Sequence, residues 1–137
     1  MSMFKIFDTA ATGMSAQSLR LNLVASNMAN VDSVSSSIEQ TYRARQPVFG
    51  AMLDRLNPEA PAVGVEMKGV VESQAPLTVE YAPEHSLADE EGYIYRPNVN
   101  IVEEMANMIS ASRSYESNVE VINTAKQLMS ATLRMGE

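Results

Sequence analysis

Five side chains crowd one short stretch of the chain: Glu84, His85, Asp89, Glu90 and Glu91. Carboxylates and an imidazole bind divalent cations or exchange protons with a substrate, so a metal site or a catalytic carboxylate pair is the first chemistry to weigh. The spacing supports neither. The glycine and ligand intervals of a calcium-binding loop are missing. His85 is the one histidine and cysteine is absent, which leaves too few donors for a closed transition-metal site and no thiolate nucleophile. No phosphate-binding glycine loop, dinucleotide fingerprint or nucleophile elbow occurs. The stretch reads as a solvated acidic loop, and the sequence implies neither an enzyme nor a cofactor.

Tyr42, Arg43 and Arg45 raise the question of nucleic acid. The 137 residues carry ten basic and seventeen acidic side chains, a net charge of −7, so the clustered cations that displace counterions from phosphates are lacking. The two arginines read as salt-bridge partners or rim contacts, and no nucleic-acid partner is expected. Asp8, Thr9, Thr12, Gly13 and Ser15 interrupt every apolar run that follows Lys5. Neither a secretory signal nor a membrane span of roughly 20 apolar residues is formed. The first helix also lacks the Lys/Arg-rich face of a lipid-surface helix. By composition this is a soluble chain made in the cytoplasm, with no direct membrane insertion.

The elements that would position any site fall into three parts. In residues 1–41 an amphipathic helix is expected over 3–31, followed by a polar loop. Phe7, Met14, Leu21 and Met28 recur every seven residues, with Ala11, Ser18 and Ala25 between them. From Thr9 to Val31 the only charge is Arg20. Two readings of so uncharged a helix stay open: a face packed against another chain, or the half-buried helix of an ordinary bundle. Asp32, Ser33, Ser35, Ser36 and Ser37 should end it.

Residues 42–98 change period. Val63, Val65 and Met67 alternate with Gly64, Glu66 and Lys68, and Leu77, Val79 and Tyr81 alternate with Thr78, Glu80 and Ala82. Tyr93, Ile94 and Tyr95 form a weaker third candidate. Half-buried strands in one small antiparallel sheet are expected, punctuated by the six prolines between Pro47 and Pro97.

Residues 99–137 contain a helix over 100–135. Asn100 can cap it, with Glu103 placed as in a capping box and Glu104 near the positive helix start. Its seam runs Ile101, Met105, Met108, Ser112, Tyr115, Val119, Ile122, Lys126, Met129, Leu133, with Arg134 and Gly136 as a conventional end. The fold class is α+β: two long terminal helices, able to pair as an antiparallel or a parallel hairpin, with a small antiparallel β insert between them. A helix of about 36 residues is roughly 54 Å long, whereas a globule of this size is roughly 37 Å across. So short a chain cannot enclose such helices, and the sequence points to assembly. Ten methionines against eight aromatics suit adaptable packing at a repeated contact.

The two ends also resemble a known family. The start, MSMFKIFDTAATGMSAQSLRLNLVASNMANVDS, followed by QTYRARQPVF, resembles the N-terminus of bacterial flagellar rod proteins. Within it, Ser26, Asn27, Met28, Ala29 and Asn30 resemble the S-N-x-A-N signature of rod and hook proteins. At the other end Asn98, Val99 and Asn100, then Glu104 and Met105, then the R-x-Y-E of Arg113, Tyr115 and Glu116 resemble the proximal-rod subtype. The short middle suits that subtype. Ser117 stands where alanine is common and Met28 where leucine is common, both modest departures. Residues 59–73 match no motif.

The resemblance implies an axial structural subunit of the basal-body proximal rod, which transmits torque from the motor, with its two terminal helices pairing as a coiled coil. It implies export through the flagellar type III apparatus without a cleaved signal, and a periplasmic destination. The partners it implies are other copies of the chain and other rod and basal-body proteins. The expected contact packs Phe7, Met14, Leu21 and Met28 against Met105, Met108, Tyr115, Val119, Ile122 and Met129, with Leu133 extending the second seam. The alternative is a secreted coiled-coil adaptor or translocator that forms a closed oligomer.

Overall fold

Asn100 decides where the long C-terminal helix begins. Its backbone is extended, and its side-chain oxygen accepts the N–H groups of Val102 at 3.0 Å and Glu103 at 3.3 Å. Those donors would otherwise lack partners in the first turn. The computed structural model describes residues 3–53 and 64–136. In it α1 spans Met3–Ala29 and α2 spans Ile101–Met135. Glu103 and Glu104 place acidic charge in the first turn of α2 and Arg134 places basic charge in the last, both favourable to the helix dipole. Gly136 closes α2 by donating its N–H to Leu133, but at φ −90° it does not use the left-handed conformation open to glycine.

Asn30 ends α1. Its backbone N–H reaches the carbonyls of Ser26 and Asn27, each at 3.2 Å, and its side chain donates to Ser26 at 2.8 Å. Its own carbonyl then accepts the Ser33 hydroxyl at 2.8 Å. The serine-rich stretch that follows is turns, with one antiparallel bridge between Ser35 and Tyr95.

The β region is two separate two-stranded antiparallel ribbons rather than one sheet. In the first, β1 (Arg45–Met52) pairs with β2 (Gly64–Glu72). In the second, β3 (Thr78–Tyr81) pairs with β4 (Tyr93–Arg96). β1 is the strand that hydropathy did not reveal: Pro47 and Gly50 interrupt its sequence, and no clean alternation marks it. Pro47 lies inside this strand and not beside it, which an edge position permits. The register shifts between Val48 and Phe49, a bulge that leaves Lys68 unmatched. Val63 of the expected alternation lies outside the described residues.

The strands are less buried than their alternation implies. Val65, Met67, Val79 and Tyr81 are all exposed, because a two-stranded ribbon carries too little of a second layer to cover both faces. Ile94 is the exception, buried in β4 at 1 % exposure. Gly92, at φ 86°, makes the turn into β4 in a conformation that favours glycine. The Tyr81 and Tyr93 rings then meet edge-on at 5.2 Å, and Arg96 pairs with Glu80 at 2.9 Å.

α1 and α2 pack against each other as an antiparallel hairpin, with α1 also touching β1 and β2. Three contacts fix the direction. Asn27 stands beside Glu104, Arg20 donates to the Asn107 oxygen at 2.9 Å, and a Cβ added at Gly13 would stand 2.9 Å from the Asn118 amide. As numbering falls along α1 it rises along α2. Among the described residues the buried apolar side chains are Ala10, Ala16, Val24, Ala44, Ile94, Ala111 and Ala125. Most are alanine, so the core is thin.

Candidate assembly surface

The helix pair meets along small and polar residues. On α2 the line is Glu104, Ala111, Asn118 and Ala125, a seven-residue repeat in which all but half-buried Asn118 are buried. On α1 it includes Ala10, Gly13, Arg20, Val24 and Asn27. Small side chains let the backbones approach closely, and polar ones then need partners. Gln17 Oε1 and Glu104 Oε2 are buried with none.

That line runs one residue out of step with the seams expected from hydropathy. Phe7, Met14, Leu21 and Met28 are half-buried beside it, and Ala11, Ser18 and Ala25 are exposed. On α2, Met108, Tyr115, Val119, Ile122 and Met129 are half-buried, whereas Met105 is 49 % and Leu133 69 % exposed. One residue is about 100° of rotation, enough to move a side chain from the contact to its flank. A hydropathy pattern follows the larger apolar residues, so it missed a contact made by alanine, glycine and asparagine.

What the hairpin leaves outside is apolar. Val102, Met105 and Ile109 form a strip at helical spacing near the start of α2, and Val121, Leu128 and Met135 recur every seven residues near its end. All six are more than 40 % exposed. Phe4 on α1 is 72 % exposed. Scattered apolar residues on a surface are ordinary, but strips along a helix mark a contact surface.

Most of the motif residues near the β region hold the hairpin in place. Asn27, 1 % exposed, accepts the Tyr42 hydroxyl at 2.7 Å and the Arg45 N–H at 2.9 Å. Its amide donates to the Arg45 carbonyl at 2.9 Å and stands beside Glu104, whose charged form it favours. Ser26 meets the same Tyr42 hydroxyl at 3.2 Å. Asn98 is a second clasp, accepting from Ala44 N–H and donating to the carbonyls of Ser73 and Ala75. Ala29 and Met105 are exposed and make no such bond. Arg113 and Glu116 are exposed, and among the described residues neither they nor half-buried Tyr115 has a hydrogen bond or ion pair.

Glu104 is 4 % exposed beneath this junction. Burial pushes its carboxyl above the ordinary range. The Asn27 amide opposes that push, neighbouring Glu103 adds to it and Arg20 opposes it weakly.

The acidic stretch has a structural use. The Asp89 carboxylate accepts the N–H groups of Tyr93 at 2.8 Å and Glu91 at 3.0 Å and the Tyr95 hydroxyl at 3.0 Å. The Tyr93 bond above all holds its carboxyl below the ordinary range, and the Tyr95 phenol is raised by its own bond to Asp89. His85 Nδ1 accepts the Leu87 N–H. Arg43 donates to the carbonyls of Ser73 and Ala75, and Arg45 lies over the Tyr42 ring and 3.6 Å from Glu72. Among the described residues no group of three or more metal-binding side chains converges. No helix among them is long and apolar enough to cross a membrane.

A thin chain with well-fixed helix ends and apolar strips left outside belongs to the class of subunits completed by their neighbours. Known proteins give that class a particular identity. Residues 7–35 match the family model described as flagella basal body rod protein, and residues 90–135 match flagellar basal body rod FlgEFG protein C-terminal. The chain is 49 % identical to the flagellar basal-body rod protein FlgC of Escherichia coli O6:H1 and 48 % identical to that of Salmonella typhimurium, each over 100 % of both chains. It is 34 % identical to FlgC of Borreliella burgdorferi over 97 % of both. The chain belongs to the FlgC family of flagellar basal-body rod proteins and is, as such, a structural subunit of the flagellar basal-body rod.

Proposed function

We propose that this subunit polymerises through the outer faces of α1 and α2 into a helical tube, without catalysing any reaction. The observation that carries the reading is the division of labour on the helices. Their mutual contact consumes small and polar residues, and the larger apolar ones remain outside for neighbours. Burying such strips contributes about 25 cal/mol per Å² of apolar area before the cost of ordering and docking. The residues of the expected seams share in this. Phe7, Met14, Leu21, Met28, Met108, Val119, Ile122 and Met129 bridge the hairpin contact and its flank, and Met105 and Leu133 face neighbours outright. Arg113 and Glu116 offer unpaired charge for rim contacts between subunits.

Membership of a rod family supports other copies and other rod and basal-body proteins as the partners. It also supports delivery through the flagellar type III export apparatus, without a cleaved signal peptide, to the periplasmic rod. Nucleic acid has no part in this reading, since the chain is acidic and Arg43 and Arg45 are engaged within it.

Ile109→Lys tests the assignment, because this side chain is 56 % exposed and its loss leaves the hairpin contact intact. The expected outcome is a variant with the circular dichroism and melting curve of the parent that does not restore motility to a strain lacking the gene. Restored motility with normal rods would overturn the assignment. A ring of fixed stoichiometry in electron micrographs of the parent chain would favour the closed-oligomer alternative over open growth.

A further inference from the structure

The junction of α1, β1 and α2 encloses a cavity of about 300 Å³ lined by Arg20, Arg45, Phe49, Glu103, Glu104 and Asn107, among others. Glu104 is the one buried charge-bearing residue at this junction, and its Oε2 has no hydrogen-bond partner. The donors around it are aimed at other acceptors. Asn27 gives its amide to the Arg45 carbonyl, and its oxygen accepts the Tyr42 hydroxyl and the Arg45 N–H. Arg20 donates to Asn107 at 2.9 Å, and the Arg45 guanidinium lies 3.6 Å from Glu72. Glu103, next in the chain, is negative and exposed. A buried carboxylate with one oxygen unserved is costly, whereas the neutral acid fits the same space without a stranded charge.

We propose that Glu104 is a proton-operated latch. When neutral it holds the first turn of α2 against α1 and β1; when ionised it loosens that junction. The inference does not rest on the polymerisation reading, since it concerns a contact within one chain. Asn27 gives it reach: the same amide that meets Glu104 also anchors Arg45 and Tyr42, so strain at the carboxylate is felt by both helices and the first ribbon. The direction follows from linkage. The folded chain holds the Glu104 proton more tightly than the unfolded chain, in which the carboxyl returns to its ordinary value of 4.5. Stability contributed by this group is therefore present at low pH, is lost as pH rises from that value through the raised folded one, and stays lost above it.

Glu104→Gln tests the latch, since it keeps the shape and removes the ionisation, with Glu103→Gln as the exposed neighbouring control. Urea midpoints of the full chain are measured from pH 5.5 to 8. The Glu104→Gln midpoint should exceed the parent's by about 0.5 M at pH 8, converging on it as pH falls, while Glu103→Gln keeps the parent's pH dependence. Amide protection of residues 24–29 and 101–108 should fall with rising pH in the parent and hold in Glu104→Gln. Identical pH profiles for parent and Glu104→Gln would overturn the proposal. So would unprotected amides in both segments at every pH in both proteins, because a junction that never closes cannot be set by one proton.

Discussion

The two ends of the helix hairpin are built on opposite principles. Beside the ribbons, where α1 finishes and α2 starts, polar side chains are tied to backbone at nearly every position: Asn27, Asn30, Asn98 and Asn100 each bond to main-chain groups. At the far end Ala125 is the last buried residue of α2, and Leu128, Leu133 and Met135 are exposed. Following the pairing of Asn27 with Glu104 and Gly13 with Asn118, Met3 falls near the level of Leu128, so the last two turns of α2 run past the described start of α1. One end is tied together within the chain, although Val102, Met105 and Ile109 stay exposed on its outer face. The other presents apolar side chains that nothing among the described residues covers.

If the first end is held by hydrogen bonding, its removal should produce the largest effect on the folded subunit. Asn27→Ala strands the Tyr42 hydroxyl and the Arg45 N–H and carbonyl in one step. A destabilisation on the order of 3 kcal/mol is expected from several buried groups left unpaired, read as a lower urea midpoint. A loss below about 0.5 kcal/mol would mean that water replaces Asn27 freely and that the end is not fixed as described. Asn100→Ala should cost less, about 1 kcal/mol, since it removes one cap at an exposed position and leaves the buried network intact. Its checking observable is local: amide exchange should rise at Val102 and Glu103 before it rises at Ala111.

This contrast also explains what could be read from the sequence. Asn100 declared itself as a cap because a polar residue ahead of an amphipathic run, with acids in the next turn, is a local signal. The helices and most strands were likewise local patterns. Asn27 was visible as a motif residue, but its partners Tyr42, Arg45 and Glu104 are brought to it only by the fold, so its task could not be read from spacing. The hairpin contact was misplaced by one residue for a related reason. Hydropathy ranks Met14 and Leu21 above Gly13 and Arg20, although closeness of backbones, and not apolar volume, decides which line touches. β1 was hidden by Pro47 and Gly50, which only an open-edged ribbon accommodates.

The smallest expected effect on the folded subunit is the sharpest test of the far end. Leu133→Lys changes a residue that is 69 % exposed, so the isolated chain should keep its stability to within about 0.5 kcal/mol. A cation in the last turn even complements the helix dipole, alongside Arg134. Assembly should respond very differently, because a lysine at a subunit contact must be desolvated without a partner. The expected result is a subunit that melts like the parent and fails to enter rods, checked by unfolding curves beside motility and basal-body images of the complemented strain. If Leu133→Lys assembled normally while Ile109→Lys did not, the contact surface would be confined to the first half of α2. The exposed apolar end would then need another explanation, and the hydrogen-bonded end would be the one that neighbours cover.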